Sequence, residues 1–108
     1  MKDLQYIKFR LMFGEELRKA QDKHPKFCDT FTLYSKSACV FDENAYKKRN
    51  KVAPYKADDI LLEEVCEART AYVEGDKAHC LQGLAQCGAV ILRMMEFVSN
   101  EMETKDEV

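Results

Sequence analysis

Three stretches of the chain repeat apolar residues at the three-or-four spacing of a helix face, and they predict three main helices. The first runs from Leu4 to about Lys23. Leu4, Ile7 and Leu11 share one line, Glu15 and Arg18 continue it, and Phe9, Met12, Phe13, Leu17 and Ala20 widen the apolar face. Gly14 interrupts this helix at a cost of about 1 kcal/mol relative to alanine. His24-Pro25 ends it, because the residue before a proline is pushed out of the α region. The second helix runs from about Ala57 to Tyr72 or Val73. Asp58 and Asp59 put negative charge at the positive end of its dipole, and Gly75 is placed to cap its far end. Asp76 then caps a third helix that continues to about Asn100. The connection is short, so these two helices should pack antiparallel as a hairpin.

The third helix is apolar around most of its circumference. Leu81, Leu84, Ala85, Gly88, Leu92 and Met95 form one stripe, widened by Cys80, Cys87, Val90, Ile91, Met94, Phe97 and Val98. Gln82, Gln86, Arg93 and Glu96 leave a narrow polar strip. Such a helix needs more cover than two neighbours provide, so it is expected at the centre, with a homodimer covering its second face. Residues 26–56 read as an irregular connector. Asp29 can cap a short helix through Ala38, and the alternation from Phe27 to Leu33 would also allow a strand, which would have no partner. From Asp42 to Lys56 the pattern fades into an exposed loop with one helical turn. Lys47, Lys48, Arg49 and Lys51 cluster there before Pro54, either as solvated surface or as an anion-attracting flap near a phosphate site. Residues 101–108 are mostly charged and read as a frayed tail. The expected architecture is a single all-α domain over 1–108, a small helical bundle completed by dimerisation.

Composition narrows this picture. At 108 residues the chain suits one domain, and four Gly with two Pro favour long helices over a many-turned β fold. A net charge of −2 argues against a general nucleic-acid or anionic-membrane binder. Five cysteines, odd in number and without a C-x-x-C pair, read as free thiols in a reducing cytosol. Met1-Lys2-Asp3-Leu4 leads straight into the amphipathic pattern without a signal peptide, and no apolar run approaches the roughly 20 residues that span a bilayer. A soluble cytoplasmic protein is expected, with no membrane or nucleic-acid partner.

The candidate chemistry lies in Leu61-Leu62-Glu63-Glu64-Val65-Cys66-Glu67. Leu61, Glu64, Val65, Ala68 and Tyr72 share a helix face, so Glu64 falls in the stripe that should be buried, where an unpaired carboxylate is costly. Glu67 leans toward the same side. Two carboxylates converging on a packed interface call for a cation, either a metal ion or a basic side chain such as Arg18 or Arg93. His24 and His79 stand alone near helix ends, and His79-Cys80 with Cys66 matches no common zinc spacing. Cys87 has no base near it in sequence to activate a nucleophile. Met94 and Met95 read as core or interface filler.

Leu62-Glu63-Glu64-Val65-x-Glu67, the Gly75-Asp76 turn, and the small-residue helix ending Ala89-Val90-x-x-Arg93 together resemble MazG-like nucleotide pyrophosphohydrolases, of the all-α NTP pyrophosphohydrolase superfamily. Glu16-Leu17-x-x-Ala20-x-x-Lys23-x-Pro25 is similar to the first helix of small phage and bacterial members. The resemblance implies a dimeric or larger helical bundle that hydrolyses a nucleoside triphosphate to monophosphate and pyrophosphate. It implies Mg²⁺ held by Glu64 and Glu67 with Glu63 in support, and Gln86 as a further metal ligand through its amide oxygen. Arg18, Lys23 and Arg93 become the expected phosphate contacts. The family continues with E-x-x-D one helix later, and here that register carries Gly83 and Gln86. Two readings follow: an enzyme with a partly degenerate metal site, or a non-catalytic nucleotide-binding or interaction module that keeps the fold.

Overall fold

The computed structural model describes residues 1–106, and the side chains of residues 1–103. It contains four helices: α1 (Asp3–Lys23), α2 (Lys36–Arg49), α3 (Ala57–Val73) and α4 (Lys77–Asp106). The all-α expectation holds, and no strand occurs among the described residues. None of these helices is long and apolar enough to cross a membrane.

Two expectations need correction. The connector is not irregular through its length, because 14 of its residues form α2. Its N-cap is Ser35, whose hydroxyl accepts from the Ala38 amide at 3.2 Å, and Asp29 caps nothing. Lys47, Lys48 and Arg49 form the last turn of α2, where cations oppose the negative end of the helix dipole. They belong to a helix end and not to a loop. The charged tail is also helical: α4 continues through residues 101–106, and only 107–108 of the expected frayed segment lie outside the described residues.

The α3–α4 turn follows its sequence signals closely. Gly75 adopts φ +83, a left-handed conformation that side chains resist. It lets the Asp76 amide reach Ala71 O at 2.9 Å while its own amide reaches Tyr72 O at 3.0 Å, the paired bonds of a Schellman cap. Asp76 Oδ1 then accepts from the His79 amide at 3.0 Å and starts α4.

The chain divides into two compact units, Thr30–Ile91 and Met1–Asp29 with the chain from Leu92 on. In the first, α2, α3 and the first half of α4 bury Cys39, Cys66, Ala68, Ala71, Cys80 and Cys87. These side chains are small because the helices approach closely. A Cβ built on Gly83 would stand 3.3 Å from Ala68 Cβ, tighter than ordinary contact. Tyr72 packs on this core, and its ring centroid lies 5.1 Å from that of Phe31.

In the second unit α1 runs beside the end of α4. The Met1 ammonium meets Glu96 at 3.2 Å, and Gln5 Nε2 donates to Asn100 Oδ1 at 3.3 Å. Phe9 is buried there at 3% exposure, whereas Leu4, Ile7 and Leu11 are 81%, 48% and 70% exposed. The expected core face of the first helix therefore points outward. Helical spacing places Phe9 on the opposite side from Leu4 and Leu11, and the intrachain partner covers only Phe9's side.

Candidate functional site

The glutamates of α3 meet α2 across a polar seam. α2 turns Asp42, Glu43, Lys47 and Asn50 toward α3 at helical spacing. Asn50 Nδ2 donates to Glu63 Oε1 at 3.1 Å and to Asp59 O at 3.0 Å, while Arg49 pairs with Asp59 at 3.6 Å. Glu63 thus fastens the end of α2 to α3. Further along, Lys47 Nζ bonds to Glu43 on its own helix and lies 3.9 Å from Glu67. At the far end Arg69 Nη2 reaches Asp42 at 3.3 Å and Cys66 Sγ at 3.2 Å, with its guanidinium carbon 4.6 Å from the Tyr34 ring centroid.

Glu67 lies in this seam beside Lys47, and Glu64 precedes it by three residues on α3. Glu64 Oε2 is buried and has no hydrogen-bond partner among the described residues. Glu67 has its carboxyl pushed above the usual range, first by burial, then by the charge of Glu64, with Glu63 and Glu43 adding to it and Lys47 opposing. The Lys47 ammonium is pushed up by its bond to Glu43 against the effect of burial, and the charges of Glu43, Glu67 and Glu63 assist. From α4, Cys87 faces the same carboxylates: burial raises its thiol pKa, and the charge of Glu64 raises it further. A half-exposed ion pair such as Lys47–Glu67 contributes only about 0–1 kcal/mol.

No group of three His, Cys, Asp or Glu side chains is placed to hold a metal ion among the described residues. The resemblance implies Mg²⁺, which is commonly held by one or two carboxylates and completes its shell with waters and substrate phosphates, and Glu64 and Glu67 are the residues that would hold it.

The other expected site residues fall elsewhere. Gln86 is exposed on α4, and Gly83 is buried against Ala68. Arg18 is exposed and pairs along its own helix with Glu15 at 4.0 Å and Asp22 at 3.8 Å. Lys23 and Arg93 are exposed, and all three cations belong to the other compact unit. Sequence reasoning missed Glu43 and Arg69, and it placed Lys47 in an exposed basic loop and not beside Glu67. The i,i+4 spacing of Glu43 and Lys47 was the available signal, since it marks a helical pair.

Comparison of the chain with protein-family models, with curated proteins and with solved structures gives no match in any of the three.

Proposed function

We propose that this chain is a cytoplasmic, Mg²⁺-dependent, MazG-like nucleoside triphosphate pyrophosphohydrolase, acting on NTP or dNTP as a homodimer or larger homo-oligomer. The observation that carries the proposal is the Glu64–Glu67 pair, with one buried unpartnered oxygen and one carboxyl crowded by like charge. The resemblance of the α3–turn–α4 sequence supports it. Glu64 and Glu67 would hold the ion; when bound, Mg²⁺ polarises the phosphoryl oxygen and orients the attacking water. Glu63, already held by Asn50, positions α3. Lys47, beside Glu67, supplies a phosphate contact. Arg18, Lys23 and Arg93 remain expected phosphate contacts and carry no part of the argument from the seam.

The decisive assay is Mg²⁺-dependent release of pyrophosphate from a panel of NTPs and dNTPs. Turnover is expected for at least one substrate, with loss of at least two orders of magnitude in Glu64→Gln. Absence of turnover with every substrate would overturn the enzyme. A second reading, a nucleotide-binding module that keeps the fold, is favoured by one observation: Gly83 packs on Ala68 where the family's second acidic element begins. Thermal stabilisation by a nucleotide without pyrophosphate release would establish that reading, and saturation at 100 Kd would be worth about 2.7 kcal/mol.

A further inference from the structure

Glu67 already has a cation beside it, and that cation belongs to the chain. Lys47 Nζ bonds to Glu43 and stands 3.9 Å from Glu67. The two contacts differ in kind. Glu43 lies four residues before Lys47 on α2, the favourable order for a helical pair, so this bond forms within one helix and does not depend on α3. Glu67 lies on α3, and at 3.9 Å it is beyond hydrogen-bond reach, so charge attraction alone joins it to Lys47. The half-exposed ammonium can therefore leave Glu67 and stay tethered to Glu43.

The rest of the seam offers a free metal ion little. The Asn50 amide donates to Glu63 at 3.1 Å, and no three His, Cys, Asp or Glu side chains are placed to hold a metal ion among the described residues. An ion on Glu67 would also have the Lys47 ammonium close by, and like charges at such range repel. Mg²⁺ held through one or two carboxylates takes its remaining ligands from waters and substrate phosphates. A triphosphate supplies those oxygens, and it gives the Lys47 ammonium another anion to turn to.

We propose that Lys47 is the resident counter-ion of Glu67 in the free chain, and that the seam takes up Mg²⁺ only together with a nucleoside triphosphate, whose phosphates draw Lys47 away. The proposal rests on the assignment of Glu64 and Glu67 to Mg²⁺ and adds the order of binding and the residue that enforces it. Calorimetry on the full chain should show at most weak binding of Mg²⁺ alone, and firm binding of Mg²⁺ with an α,β-methylene nucleoside triphosphate. Lys47→Met, which keeps the apolar stem and removes the charge, should bind Mg²⁺ alone at least about fivefold more tightly. Lys47→Arg should behave as the unmodified chain, and Glu67→Gln added to Lys47→Met should abolish the gain. Equal affinity of Lys47→Met and the unmodified chain for Mg²⁺ alone, tight or absent, overturns the proposal, as does a gain that survives Glu67→Gln. The side-chain nitrogen resonance of Lys47 in the unmodified chain covers the case in which the variants fail to fold. It should stay in place with Mg²⁺ alone and move with Mg²⁺ and the analogue together; movement with Mg²⁺ alone overturns the proposal. Pyrophosphate release is scored separately. A chain that releases none and still gains Mg²⁺ affinity in Lys47→Met loses the enzyme reading alone, and one that releases it without that gain loses the order of binding alone.

Discussion

At Glu67, burial and the charges of Glu64, Glu63 and Glu43 favour the neutral acid, with Lys47 opposing. The folded chain therefore keeps this proton to a higher pH than the unfolded chain, whose carboxyl titrates near 4.5. Between 4.5 and the raised value the folded state binds more protons. The group's contribution to stability then falls as pH rises through that window, opposite in sign to an ordinary ion-paired carboxylate. Glu67→Gln should accordingly raise Tm at pH 7, with the gain shrinking as pH falls toward 4.5. Melts of both proteins at pH 5 and pH 7 check this, and a lower Tm for the variant at pH 7 would mean that the Lys47 pair outweighs the crowding. Stability gained by removing a carboxylate that the proposed pyrophosphate release would require is the usual trade-off at a functional site. The packed position of Glu64, with Glu67 leaning to the same side, was legible from helical spacing. Glu43, Lys47 and Asn50, the neighbours of the α3 glutamates, were not, because nothing in the local pattern says which helix crosses α3 there.

Among the elements, α3, its glycine cap and the start of α4 were legible almost to the residue. Gly75 and Asp76 act on backbone groups within five positions of themselves. α2 was hidden for a physical reason. Its side toward α3 is held by ion pairs and amide bonds from Asp42, Lys47 and Asn50, and Cys39 is its one fully buried side chain among the described residues. A polar seam leaves no hydrophobic period to read. Gly83 carries a related lesson. Read as a position in a metal motif it is a lost glutamate, but in the fold it is the point where α4 crosses Ala68. Gly83→Glu should therefore destabilise the chain by about 1–3 kcal/mol, the usual cost of overpacking, instead of completing a metal site. Urea unfolding measures this directly, and a neutral result would mean that α4 shifts away from α3 at little cost.

Among the described residues of the whole molecule, the buried side chains other than Phe9 are small, while many large apolar residues stay at the surface. The amphipathic pattern of α1 was correct as periodicity and incomplete as a guide to burial, since the stripe from Leu4 to Leu11 is exposed within the chain. The homo-oligomer proposed above would make folding a bimolecular equilibrium, so Tm should then rise with protein concentration. Melts between about 1 and 100 µM are the measurement, and a constant Tm would argue for a folded monomer.

The sequence by itself determined the all-α class, the extents of α1 and α3, the turn at Gly75-Asp76 and the placing of Glu64 on a packed face. Each depends on residues within one or two helical turns of one another, where spacing and capping act directly. Tertiary structure decided that α2 exists as a polar partner for α3, that Lys47 and Asn50 stand beside the α3 glutamates, that Gly83 is a helix-crossing residue and that Leu4 and Leu11 face outward. Each of these is set by contact between residues far apart in the chain, or by the lack of one. Only the packing of the helices determines those contacts.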